Sequence, residues 1–283
     1  MLKPLQIRKV IFDWTETPYV MGIINVTPDS FSDGGEVDTV EKALKKAEVL
    51  LKEGASILDI GGESTRPFSD PVPEEIEIKR VLPVIKAIKE NFPEAIISVD
   101  TYKAKVAELA LKTGADMIND ISGCQFDKKM IDVARDFQCP IVIMHIKGTP
   151  KTMQINPYYE NVIKEIKEYF YERIDFLTNK GIAFEKIILD PGLGFGKTFQ
   201  HNIEIIKNLE EFKEFKRPIL LGPSRKSFIG EIVKKPPKER DSGTAGFAIY
   251  SYLKGVHFLR VHNVSLIKDV LKTFKFLWGD PIS

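Results

Sequence analysis

A chain of 283 residues with a formal net charge of +1 has no global field for a polyanion, so nucleic-acid binding is disfavoured and an anionic ligand must be met by local groups. Hydrophobic residues reach 43%, ample for a large core, yet no apolar run approaches the roughly 20 residues of a membrane span. Cys124 and Cys139 form no CxxC pair, which leaves neither a zinc pattern nor a disulfide framework, and the start MLKPLQIRKV lacks the look of a secretory or transit segment, so a reducing cytoplasm is the expected compartment.

Residues 2–17 carry short β-favouring pieces around Ile7 and Val10 and predict a small N-terminal β-hairpin covering one end of a core. From Val20 onward one unit recurs: a short apolar run, a polar Gly-rich turn, then an amphipathic segment. The first unit is a strand over 20–25, the loop NVTPDSFSDGG from Asn25 to Gly35, and a helix over 38–52 closed by Gly54. The second is 57–60, the loop GGESTRPFSD and a helix around 74–91; the third is 95–99, Asp100-Thr101 and a helix ending at Thr113. The fourth is 116–118, NDISG and a helix over 127–137. The fifth is 141–144, ending in His145, then KGTPKTMQ and a long helix over 158–179. The sixth is 187–189, ending in Asp190, then PGLGFGKTFQHN and a helix from Asn202. The seventh is 219–221, GPSRKSF, a helix opening near Ser227 and more helix over 244–253; the eighth is 258–259, RVHN and a helix over 265–277. Eight such units, with strands that read as buried on both faces, predict an α/β fold of the (β/α)8 TIM barrel type. No linker breaks the series, so residues 1–283 read as one domain. A doubly wound sheet is the alternative, but it collects ligand groups at one switch point, whereas here nearly every strand has a polar end.

Asn25, Thr65, Arg66, Asp100, Asn119, His145, Asp190, Lys226, Arg260 and His262 fall at or just beyond the C-terminal end of a predicted strand, positions that converge on one cup in a barrel. Each alone has an ordinary structural use: Asp100-Thr101 and Asn119-Asp120 as helix caps, Arg260 and His262 as surface ion pairs, the loop after Asn25 as a turn. GLGFG is not spaced as GxGxxG, GPSRK lacks the Walker order, and no GxSxG elbow occurs. The joint placement is what argues for a site. Asp100, Asn119 and Asp190 offer acceptors plus an amide, which suits a flat heterocycle bearing several N–H donors; such carboxylates would be costly to bury without that partner or a cation. Asn25, Arg66, Arg260 and His262, beside helix N-termini, suit a phosphate ester. A metal there would meet oxygen ligands, which favours Mg2+ held by few protein groups and by phosphate over zinc.

Over nearly its whole length the chain resembles the dihydropteroate synthase family. The strings that carry the resemblance are MGIINVTPDSFSDGG, LDIGGESTRP, ISVDT, MINDISG, GTPKTMQ, ILDPGLGFGKTFQHN, LLGPSRKSFIG, RDSGTAG and RVHNV. It implies a barrel of folate biosynthesis that joins 6-hydroxymethyl-7,8-dihydropterin diphosphate to 4-aminobenzoate with Mg2+, giving 7,8-dihydropteroate and diphosphate. It also implies a homodimer through the last helices and sensitivity to sulfonamides. Carried over by motif, Asp100, Asn119, Met144, Asp190, Lys226 and Arg260 would form the pterin pocket. Asn25, Arg260 and His262 would meet the diphosphate, with Asn25 also on the metal. Thr65, Arg66, Phe195 and Ser227 would shape the aminobenzoate site. Phe31 and Asp33 would fold over the second substrate as part of a mobile cover, and with Asp100 and Lys226 they would make up the catalytic set. The implied reaction is dissociative: diphosphate leaves, and the aromatic amine attacks the cation.

Three places depart from the family pattern. Phe68 follows STRP where glycine is usual, Asn263 stands where RVHDV is common, and Cys124 occupies a variable position. Two other readings are a pterin-binding barrel that moves a methyl group from methyltetrahydrofolate to a corrinoid protein, and a catalytically silent pterin-binding paralogue.

Overall fold

The computed structural model describes residues 2–15, 18–27 and 36–278. Strands β1 (Leu5–Ile7) and β2 (Val10–Phe12) form the expected antiparallel hairpin. Strand and helix then alternate: β3 (Tyr19–Asn25), α1 (Glu36–Lys52), β4 (Ile57–Gly61), α2 (Glu74–Asn91), β5 (Ile97–Asp100), α3 (Ala104–Thr113), β6 (Met117–Asp120) and α4 (Met130–Phe137). They continue as β7 (Ile141–Met144), α5 (Val162–Asn179), β8 (Ile187–Asp190), α6 (Phe199–Lys207), β9 (Leu220–Leu221), α7 (Ser227–Val233), α8 (Asp241–Leu253), β10 (Phe258–Val261) and α9 (Val264–Trp278). The parallel sheet runs β8-β7-β6-β5-β4-β3-β10-β9, and a bridge between Leu189 and Ile219 joins its two ends. The Leu189 N–H donates to the Pro218 carbonyl at 2.9 Å across that seam. The fold is therefore the (β/α)8 TIM barrel expected from the sequence.

Side-chain alternation along these short strands produces two separate cores. Leu58, Ile118, Leu189 and Leu259 point outward into the large core between sheet and helices. Their neighbours Ile57, Met117, Ile188 and Phe258 fill the barrel interior with Met21, Val142 and Leu220 of the intervening strands, the layered packing typical of this architecture. Leu5, Ile7 and Phe12 of the hairpin complete this inner core, so the hairpin plugs one end of the barrel.

The chemistry begins two residues further along the same inward faces. Ile57 is followed by Asp59, Met117 by Asn119, Ile188 by Asp190 and Phe258 by Arg260. The barrel interior thus changes from hydrocarbon to charge within one layer, at the C-terminal end opposite the hairpin plug.

Several element limits shift from the sequence reading, each for a local reason. β6 extends through Asp120 and β10 through Val261, which places Asn119 and Arg260 within strands rather than beyond them. α6 begins at Phe199, not Asn202, because Thr198 and His201 form a reciprocal capping box. α5 begins at Val162, not at 158, where the Asn161 side chain accepts from the Lys164 N–H at 2.9 Å. α4 begins at Met130, and Asp127, read as its start, instead accepts from the Ala104 N–H that opens α3 at 2.9 Å.

Candidate active site

Arg260 organises the charged layer. Its Nε donates to Asp59 Oδ2 at 2.5 Å and its Nη2 to Asp100 Oδ2 at 2.6 Å, while Asn119 Nδ2 donates to the same Asp59 oxygen at 3.2 Å. Asp59 has no exposed surface, so its charge depends on this pairing. Burial works against the Arg260 cation, but the Asp59 and Asp100 carboxylates outweigh it and hold the guanidinium pKa above its ordinary value. Asp100 is pushed upward by burial, with the Asp59, Glu77 and Asp120 carboxylates adding to the effect and Arg260 opposing it. One arginine between two acids leaves the cluster acidic, and Asp59 Oδ1 has no hydrogen-bond partner among the described residues. The layer is therefore short of donors.

Asp190 and Lys226 face the same space. Burial raises the Asp190 carboxyl against the pull of Lys226, and its Oδ1 accepts from the Gly192 N–H at 2.7 Å. Lys226 donates to the Leu193 carbonyl and stands 4.1 Å from the centre of the Phe195 ring. Burial lowers the Lys226 pKa to about 8, with Asp190 opposing. Met144, fully buried at the end of β7, pairs in register with Asp190. Gly192, at φ +72°, is required here, since a Cβ would lie 2.0 Å from the His145 carbonyl oxygen.

His262 follows β10 and is anchored by Ser224, whose Oγ lies 2.9 Å from His262 Nδ1 and accepts from the His262 N–H at 3.2 Å. Burial, with the Arg225 and Arg260 cations nearby, lowers the ring pKa to about 3. A neutral imidazole that accepts the Ser224 proton at Nδ1 keeps Nε2–H as a donor for an anion. Asn25 ends β3 half-buried, Thr65 is half-buried and Arg66 exposed on the loop after β4, and Ser227 is exposed as the first residue of α7. Phe31 and Asp33, and with them the cover expected from the sequence, lie outside the described residues.

Sequence reasoning passed over several contributors. Asp59 was absorbed into an apolar strand, although an acid at an inward position two residues from a strand's end was a usable signal. Lys197 is buried, and its Nζ lies 3.0 Å from His145 Nδ1 and donates to the carbonyls of His145 at 3.2 Å and Phe195 at 3.0 Å. Lys103 binds both Glu63 and Glu77 beneath the GGESTRP loop, and Glu63 also accepts from Tyr102 Oη at 2.7 Å and the Val72 N–H at 3.0 Å. Neither helix-cap reading survives for the pair of site residues: Asp100 meets Arg260 and Asn119 meets Asp59, while the neighbouring Asp120 caps the turn by accepting from the N–H groups of Ser122 and Cys124 at 2.7 and 2.8 Å.

The departure at Asn263 has a structural account. Its Oδ1 accepts from the Leu266 N–H at 3.1 Å, capping α9, and its Nδ2 donates to Asp241 Oδ2 at 3.2 Å. Asp241 in turn holds Arg225 in a two-point pair, both bonds at 2.8 Å. A carboxylate already stands beside His262, so the amide at 263 replaces a second acid rather than the only one.

Among the described residues no group of three or more His, Cys, Asp or Glu could hold a metal ion. An all-protein cage is thus lacking there, and the half-buried Asn25 amide oxygen offers the single-ligand contact that suits Mg2+, a cation that keeps water and phosphate oxygens. Among the described residues, no helix is long and apolar enough to cross a membrane.

The family described as pterin binding enzyme matches residues 21–262. A dihydropteroate synthase of Synechocystis sp. is 44% identical over 276 residues, covering 97% of this chain and 95% of the relative. A solved structure of Xanthomonas albilineans dihydropteroate synthase with 4-aminobenzoic acid superposes with a TM-score of 0.91 at 37% identity, covering 99% of this chain and 100% of the other. The same enzyme in complex with 7,8-dihydropteroate superposes with a TM-score of 0.88 at 36% identity and the same coverage of 99% and 100%.

Proposed function

The chain belongs to the pterin-binding enzyme family, among its dihydropteroate synthases, and from that premise we propose that it condenses 6-hydroxymethyl-7,8-dihydropterin diphosphate with 4-aminobenzoate to give 7,8-dihydropteroate and diphosphate. The observation that carries the reading is the donor-poor charged layer Asp59, Asn119, Asp190 and Arg260 with Asp100 above it. A pterin edge supplies the N–H donors this layer lacks. Asp190, Asn119 and Asp100 receive that edge, Lys226 turns from Leu193 to the carbonyl and ring-nitrogen side, Arg260 lies against the ring, and Met144 forms the wall. Asn25, Arg260 and His262 hold the diphosphate. Thr65, Arg66, Phe195 and Ser227 shape the second site, Ser227 and the α7 N-terminus receiving the carboxylate, and Phe31 and Asp33 close over it.

The reaction breaks the bond between the pterin methylene and a diphosphate oxygen, whose electron pair leaves with the diphosphate. The positive charge spreads into the ring beside Asp100. The aromatic amine then gives its lone pair to the methylene carbon and loses a proton. No strong base is needed; the protein must stabilise the leaving anion and keep water from the cation. Cations and the His262 donor do the first, and a closed, ring-lined pocket does the second. Mg2+ at Asn25 and the diphosphate oxygens would add neutralising charge on the leaving group. Residues 1–283 act as one barrel domain in the cytoplasm. The exposed Phe276, Leu277 and Trp278 at the end of α9 support pairing of two copies through the last helices.

Diphosphate release tests the reading. Purified protein should release it only when pterin diphosphate, 4-aminobenzoate and Mg2+ are all present, and chelation with EDTA should suppress it. Pterin binding without release would leave a silent binder, and methyl transfer to a corrinoid would indicate the other enzyme.

A further inference from the structure

The turn 192–197 carries Phe195, yet its glycines at 192, 194 and 196 all have positive φ, at 72°, 79° and 64°. Such a sequence has little intrinsic stiffness, so its shape must be imposed by its neighbours. Five side chains do this. Asp190 accepts from the Gly192 N–H at 2.7 Å, Asn202 accepts from the Gly194 N–H at 2.7 Å, Lys226 donates to Leu193 O, Lys197 donates to Phe195 O at 3.0 Å, and Gln154 donates to Gly194 O at 2.7 Å. Asp190 and Lys226 are the two that a bound pterin would engage. Asn202 and Lys197 belong to the turn's own continuation into α6. Of the three side chains that a pterin would not engage, Gln154 is the one that reaches it from another loop, the one following β7.

That loop is tied in turn to the opposite wall. The Phe68 N–H donates to Pro150 O at 2.9 Å, and Lys151 Nζ donates to Asp70 at 2.7 Å, joining it to the loop that bears Thr65 and Arg66. Gln154 therefore closes a chain of contacts from Arg66 to Phe195 across the mouth of the barrel. We infer that Gln154 is a positioning residue for the second substrate, acting through the Gly194 carbonyl to hold Phe195 and, with it, the spacing between the two loops. The inference rests on the synthase reading for the identity of that substrate.

Two variants test it. Gln154→Ala removes the donor, and the isosteric Gln154→Glu sets an oxygen against the Gly194 carbonyl. Each should raise KM for 4-aminobenzoate by about five- to tenfold, the loss expected for one unpaired carbonyl, while KM for the pterin diphosphate stays within about twofold. Amide hydrogen exchange over residues 192–198 should quicken in both variants, a readout independent of turnover. Wild-type protein that releases no diphosphate would remove the synthase reading, whereas exchange would still report on the brace. With active wild type, equal rises in both KM values, an unchanged aminobenzoate KM or unaltered exchange would each overturn the inference.

Discussion

Asp59 owes its buried charge to Arg260, and Arg260 is shared with Asp100 at almost the same distance, 2.5 against 2.6 Å. Replacing Asp59 by Asn removes one acid but leaves the arginine paired. The loss of stability should be about 1–3 kcal/mol, below the 3–5 kcal/mol typical when a buried pair loses its only partner. The urea midpoint measures it; a loss as large as that of Arg260→Met, which strands two carboxylates, would show that Asp100 does not compensate. The same substitution removes a like charge beside Asp100, so the Asp100 pKa should fall. Lys226 makes a second residue-level prediction. Its ammonium is weakened to about 8 by burial, so kcat/KM for the pterin diphosphate should decline as pH rises through about 8. Lys226→Arg, which keeps its proton, should lose that alkaline limb at whatever activity it retains; persistence of the limb would assign it to another group.

Regular elements were legible because apolar periodicity is a backbone-scale signal, repeated eight times with the same polar punctuation. Their ends were less so. The start of α6 depends on a reciprocal Thr198 and His201 cap, and histidine at the third helical position is not the usual partner in that motif. The site was legible at strand termini, where residues such as Asp190 look out of place, and was missed within the same layer where Asp59 sits inside the apolar run Ile57-Leu58-Asp59-Ile60. Lys197 and Gln154 gave no signal because their roles depend on which loops meet in space. Phe68 is a different case, a local mismatch visible in both sequence and backbone. It has φ +66° and is 64% exposed, so it carries left-handed strain without much burial in return. Phe68→Gly should relieve that strain, partly offset by glycine's greater unfolded-state freedom, for a net gain of about 0.5–1 kcal/mol. Thermal unfolding checks this; a lower midpoint would mean that the Phe68 ring holds the loop through contacts stronger than its exposure indicates.

Across the whole molecule, two sets of titrating groups, each shifted chiefly by burial, oppose each other. All four histidines have lowered pKa values, with burial first among the causes, and His257 and His262 fall to about 4 and about 3. Their contribution to stability is present above the unfolded value of about 6.5 and is lost as pH falls, because the unfolded chain takes up protons that the folded one refuses. Asp100, Asp120, Asp190 and Glu77 are all raised, again chiefly by burial, so their contribution is present below about 4 and is lost as pH rises toward their folded values. Between about pH 4 and 6.5 the two trends run against each other, and the unliganded protein should show a shallow pH dependence. Pterin diphosphate acts on both sides of that balance, its pterin edge at the carboxylates and its diphosphate at His262. Its N–H donors require Asp100 and Asp190 as acceptors, so the pterin edge favours their ionised forms and expels protons from the site, whereas the diphosphate favours protonation of His262. At a fixed ligand concentration, the rise in Tm on adding pterin diphosphate should therefore be larger at pH 7.5 than at pH 5.5. Because the diphosphate titrates in this range too, inorganic diphosphate measured at both pH values supplies the correction. If the corrected gain were equal at the two pH values, the pterin edge would not depend on these carboxylates, and the proposed roles of Asp100 and Asp190 would have to be withdrawn even with the catalysed reaction intact.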